Sequence, residues 1–190
     1  MRKKIFALAV VLICVSILAS TTLAYFTDIG TARNVITTGG IKIAIVEQQW
    51  VDDQLVDYPN ESIPVMPGKS ISKIVSVKGL DQAAWVRMRY AVTVFDAEGK
   101  AMDVPADELA KLIIIAADEE NWTYSNGWWY CNEAVMAGES TAALFDAVEF
   151  AKNMGNRYQE STVHVDVTAQ AVQKANNGAT VLDAAGWPED

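Results

Sequence analysis

The stretch Val86-Arg87-Met88-Arg89-Tyr90-Ala91-Val92-Thr93-Val94 decides the fold class. Its larger apolar members, Val86, Met88, Tyr90, Val92 and Val94, recur at every second position and alternate with Arg87, Arg89, Ala91 and Thr93. A period of two is that of a strand with one buried face, because successive side chains leave a pleated backbone on opposite sides. The two arginines then fall together on the face away from the core. There they read as a solvated stripe paired with acids.

The same period recurs outward in both directions. Ile41, Ile43 and Ile45 alternate with Lys42 and Ala44, Ile71 to Val77 is a β-branched run, and Val163, Val165 and Val167 alternate with His164, Asp166 and Thr168. A further strand is predicted over Leu144 to Phe150. Turn chemistry separates these runs. Thr37-Thr38-Gly39-Gly40 closes the opening segment, the polar residues from Asp52 to Glu61 end the first strand, and Pro64 with Pro67-Gly68 turns the chain into the next. Lys78-Gly79-Leu80-Asp81 and Ala137-Gly138-Glu139 mark two more turns. Trp122-Thr123-Tyr124 and Trp128-Trp129-Tyr130 flank Ser125-Asn126-Gly127, and an Asn-Gly pair supplies the positive φ angles of a tight hairpin. Pro105 followed by Asp107 and Glu108 predicts a short helix near Asp107 to Ala117. Its Ile113-Ile114-Ile115 segment could equally be a buried strand, since a short apolar run does not decide between the two. From Lys174 to Trp187-Pro188 the chain reads as loop or short helix. The expectation is a mainly β protein, a β-sandwich of Greek-key or jelly-roll wiring with one short inserted helix. No internal repeat of fixed period is present.

The N-terminus has the layout of an export signal. Arg2, Lys3 and Lys4 precede an uncharged stretch from Ile5 to Ala19, and Thr22-Leu23-Ala24 offers a small-x-small site for cleavage between Ala24 and Tyr25. A membrane anchor is the alternative, but Ser16, Ser20, Thr21 and Thr22 dilute the second half of the run below what a bilayer span requires. Lipidation at Cys14 is rejected because Ile13 stands where a small residue is needed. The expected organisation is a signal peptide over 1–24, an extended arm over 25–40 and a β-sandwich domain over 41–190. Of 15 basic residues the signal removes three, leaving 12 against 24 acidic ones. That balance makes nucleic acid a poor partner, and membrane contact is expected only through the uncleaved signal. Cys14 leaves with the signal as well, so Cys131 stands alone and no disulfide can staple the mature domain.

The string Leu23-Ala24-Tyr25-Phe26-Thr27-Asp28, followed by Asn34 and Gly39-Gly40-Ile41-Lys42-Ile43, resembles the N-terminus of the TasA and camelysin family, whose members are exported through a SipW-type signal peptidase. Pro67-Gly68 with Ile71 and Lys73, then Ala84-Trp85-Val86-Arg87-Met88-Arg89, resembles that family's Pro-Gly turn and Val-Arg-x-Arg strand. Ala137-Gly138-Glu139-Ser140-Thr141 with Leu144-Phe145 and Val148, and Val165-Asp166-Val167 leading to Ala169-Gln170-Ala171-Val172-Gln173, are similar to its later blocks. Lys78-Gly79-Leu80 departs from the family, where an Asn-Gly turn is commoner. The resemblance implies a jelly-roll-like sandwich, secretion to the bacterial surface or biofilm matrix, and self-association into fibres by strand donation. On that reading the arm adds to the sheet of a neighbouring subunit, with Tyr25, Phe26, Ile29, Val35 and Ile36 filling apolar pockets. The alternative, that the arm pairs within its own domain, stays open.

Catalysis is not expected. Camelysins are classed as metalloproteases, but a zinc protease draws on two histidines one helical turn apart with a glutamate between them, and this chain holds only His164. That histidine sits on the strand face opposite the valines and reads as solvent-facing. No Gly-x-Ser-x-Gly elbow accompanies it. Asp52, Asp53 and Asp57 cluster, yet without the spacing or the glycine of a calcium loop. No cofactor or metal is expected. Cys131 reads as a small buried hydrophobe. The six tryptophans read as core, with one alternative: Trp128 and Trp129 are adjacent in a strand, point to opposite faces, and one of them could stack on a surface polysaccharide.

Overall fold

The computed structural model describes residues 27–37, 40–59 and 63–188. In chain order the elements are β1 (Thr27–Thr37), β2 (Ile43–Val51), β3 (Gln54–Asp57), β4 (Ile63–Val65), β5 (Ser70–Gly79), β6 (Ala84–Phe95), α1 (Ala106–Leu112), β7 (Ile113–Ile114), β8 (Trp122–Ser125), β9 (Trp128–Cys131), β10 (Phe145–Phe150) and β11 (Ser161–Gln173). They form a six-stranded sheet in the order β4-β1-β11-β6-β9-β8 and a five-stranded sheet in the order β3-β2-β5-β10-β7.

The alternation that decides the class also sets the central pairing. β6 and β11 run antiparallel with Val94 opposite Val163, Val92 opposite Val165, Tyr90 opposite Val167, Met88 opposite Ala169 and Val86 opposite Ala171. Every one of these pairs faces inward, where they meet Ile43 and Ile45 of β2, Val75 and Val77 of β5, and Phe145, Val148 and Phe150 of β10. Over the described residues the fold is thus mainly β, two sheets burying their apolar faces against each other, with one α-helix.

Several local expectations change in detail. α1 begins after Pro105, carries Asp107 and Glu108 in its first turn and Lys111 in its last, and stops at Leu112 rather than Ala117. Ile113 and Ile114 instead pair with Phe150 and Glu149 of β10, because β-branched residues suit an extended edge better than a helix end. The polar segment after β2 holds a strand, β3. Asp52 and Asp53 take φ of 49° and 60° in a two-residue turn, after which Gln54 to Asp57 fold back on β2. Short polar residues tolerate that left-handed backbone, and two such residues form the turn that matches strand twist. Pro64 sits in β4, at the edge of the six-stranded sheet, where the missing N–H does least harm. The turn expected at Lys78 begins later, since Gly79 still pairs with Ile43; a Cβ there would stand 2.6 Å from the Met136 carbonyl oxygen. The Asn126-Gly127 hairpin forms as expected, with both residues at positive φ.

Candidate assembly interface

The segment read as an arm is, over Thr27–Thr37, a strand of its own domain. β1 lies between β4 and β11 and runs parallel to β11 without a break, from Thr27 opposite Ser161 to Thr37 opposite Ala171. β4 adds a short antiparallel pairing, Thr27 opposite Val65 through Ile29 opposite Ile63. The intramolecular alternative is therefore the arrangement in the single chain. β11 dictates it: its other side is taken by β6, and a strand of this length left without a neighbour presents a row of unmet backbone donors and acceptors. Of the proposed anchors, Val35 and Ile36 are each 42% exposed, so neither fills a pocket in the single chain. Ile29 is placed by its backbone partners Val163 and Ile63. Tyr25 and Phe26, the cleavage-site residue Ala24 and the signal peptide lie outside the described residues.

Beneath β1 stands a charged cluster that the sequence reading passed over. Glu47 follows Ile43 and Ile45 in the core-facing phase of β2, and Lys73 precedes Val75 and Val77 in the same phase of β5. Both side chains are buried, Lys73 completely. Lys73 Nζ donates to Glu47 Oε1 at 3.0 Å and lies 3.8 Å from the centre of the Tyr58 ring. The guanidinium of Arg33, on β1 of the opposite sheet, brings Nε within 3.4 Å of Glu47 Oε2. Glu47 is thus a bridge with one carboxylate oxygen toward each cation. Burial pulls the Lys73 ammonium below its ordinary range, and the Glu47 charge and hydrogen bond act against that pull. Burial first, and the Glu47 charge second, push the Tyr58 hydroxyl upward. Arg33, Glu47, Tyr58, Ile45, Val46 and Asp57 line a cleft of about 270 Å³. A charge falling in phase with buried isoleucines and valines is the sequence signal that could have found this site.

The outer face of the six-stranded sheet corrects the reading of the arginines and of one tryptophan. The C-terminal segment, with a short 3-10 turn at Val181–Asp183, covers that face, so Trp85, Trp128, Tyr130 and Val172 form a second apolar cluster with Val181 and Ala184. Arg87 is held inside it. Its guanidinium stacks 4.3 Å from the Trp128 ring centre and 4.8 Å from that of Trp187, and it donates to Gln170 Oε1, the Tyr130 hydroxyl and the Pro188 carbonyl. Arg89 stacks on Trp128 at 4.4 Å. The expected solvated stripe is instead a cation–π stack, and Trp128, 3% exposed beneath it, is not available to a glycan. Trp129, on the opposite face, is half-buried. With Tyr124, which is 61% exposed and 5.0 Å away between ring centres, it lines a cleft of about 470 Å³ shared with Arg89, Tyr90, Glu119 and Gly127.

The remaining candidates have structural surroundings. The His164 ring packs at 4.7 Å from that of Phe95 on the outer face. Asp52 and Asp53 form the β2–β3 turn and Asp57 ends β3. Cys131 is buried, and burial pushes its thiol up to about 11. Among the described residues, no three His, Cys, Asp or Glu side chains stand together as a metal-ligand set. Searches of family models, curated proteins and solved structures yield no significant match to the chain.

Proposed function

We propose that this chain is a secreted structural subunit of a bacterial surface or biofilm matrix, exported through a SipW-type signal peptidase and assembled by strand exchange. The observation that carries the reading is the seat of β1. It is the first strand of the described residues, and its tie to β11 is an unbroken parallel ladder that any copy of the same strand could make. The slot is filled by the chain's own β1 in a single subunit and by a neighbour's β1 in a polymer. The sandwich wiring in this reading is jelly-roll or Greek-key, as in the TasA and camelysin proteins the sequence resembles. Electron microscopy of the purified mature chain tests it: linear polymers are expected, and particles that stay monomeric at every concentration, on refolding included, would sink the idea. Intact mass of the secreted protein is expected to begin at Tyr25.

A second reading, a polysaccharide-binding surface module, is favoured by the Tyr124–Trp129 cleft, where two partly exposed rings stand beside Arg89 and Glu119. Retention of the mature protein on insoluble glycans, lost in Trp129→Ala, would support it. Equal retention of that variant would remove it.

A further inference from the structure

We propose that Arg33 is the specificity-determining residue of β1: its ion pair with Glu47 sets the register in which the strand enters its slot. The inference extends to a strand arriving from a neighbouring subunit, and in that part it rests on the strand-exchange reading.

A parallel ladder by itself specifies register poorly. Its hydrogen bonds are evenly spaced, so sliding β1 along β11 by two residues keeps each side chain on its face and nearly every backbone bond intact. Side chains must choose, and Val35 and Ile36 choose weakly, since each is 42% exposed. Arg33 differs in kind. It is the sole cation in Thr27–Thr37, and the residues two positions away on either side, Thr31 and Val35, are uncharged. It lies opposite Val167, a core-facing residue of β11, and so points across the sandwich to β2. There it meets a carboxylate that is buried and already oriented by a buried ammonium. Only one register brings the guanidinium to Glu47 Oε2. A slip of two residues sets a threonine or a valine against that oxygen and carries the guanidinium toward Ile45 or Gln49 of β2, neither of which bears a charge. The Glu47 carboxylate is buried while the Arg33 side chain is 44% exposed, so the pair is screened less than one between two exposed side chains and more than a fully buried one.

Hydrogen exchange on the full mature chain tests this directly. In Arg33→Gln, the β11 amides that face β1 are expected to exchange about tenfold faster than in the wild type, while those that face β6 are unchanged. Arg33→Lys, which keeps the charge, is expected to restore most of the protection. Lys111→Gln, which removes an exposed helix pair with Asp107, leaves exchange as it was. Unchanged exchange in Arg33→Gln, or an Arg33→Lys variant no better than the glutamine one, would overturn the proposal. Co-assembly then extends the test: labelled Arg33→Gln mixed with wild type is expected to be under-represented in polymers, and equal uptake would refute the intermolecular part. If no variant polymerises while the exchange differences hold, the fibre reading fails and the register role of Arg33 in the single chain stands.

Discussion

Glu47 and Lys73 are the residues at which an apolar pattern carries charge into the core, and their energetics follow from desolvation. A buried pair contributes little net stability over apolar residues of similar size, whereas removing one partner strands the other at a cost of about 3–5 kcal/mol. Arg33 stays beside Glu47 and offsets part of that cost. Lys73→Met is therefore expected to lower the unfolding free energy by about 3 kcal/mol, and the double variant Lys73→Met, Glu47→Met to return to within about 1 kcal/mol of the wild type. Urea denaturation midpoints measure both; equal destabilisation in the single and double variants would show that packing, not charge, governs the site. Cys131 gives the alkaline counterpart. Its folded-state thiol holds its proton to about pH 11 against an ordinary 9.0, so the stability this contributes is complete below pH 9 and is lost as pH rises through 11. Cys131→Ala is expected to flatten the stability profile between those values, and a thiol reagent at pH 8 should label Cys131 at the rate of unfolding.

At the scale of elements, what was legible depended on whether one periodic face met one core. β6 and β11 were plain because all five of their inward pairs are apolar, and the β8–β9 hairpin because Asn126-Gly127 names its own turn. β3 was hidden because all four of its residues are exposed, and β4 because a proline in three residues reads as a turn. The cover over Arg87 was not legible in any local window. The arginine's partners Gln170 and Pro188 are 83 and 101 positions away, and only the fold brings the C-terminal segment onto the outer face. The segment that forms β1 reads as an arm for the same reason: it has few large apolar residues and owes its place to backbone pairing with a strand at the other end of the chain. Arg87 now carries a definite expectation. Arg87→Ala removes the stacking on the Trp128 and Trp187 rings and leaves Gln170 Oε1 without its guanidinium, at about 2 kcal/mol. Lys111→Ala, an exposed pair on α1, should change stability by less than about 0.5 kcal/mol, and similar midpoints for the two would mean the stack contributes nothing.

For the whole molecule, the parallel pairing of the first strand with the last has a temporal meaning. Thr27 and Ser161 stand side by side although nearly the entire described chain separates them, so this contact closes the longest loop in the domain and is expected to form late. Until then the edge of β11 away from β6 is open, and β4, whose ladder partner is β1, has no strand to pair with. On the strand-exchange proposal, a copy's own strand competes during that interval with one from another molecule, and the outcome then depends on how many molecules share the volume while they fold. Once its own strand is seated, a monomer must break the whole ladder before it can exchange. Refolding from denaturant at high protein concentration is therefore expected to yield polymers. Native monomers concentrated to the same level should remain monomeric for far longer, and light scattering that rises equally fast in both would contradict this. If strands exchange as proposed, the history of folding, rather than the final concentration, decides whether this chain ends as a closed particle or as a link.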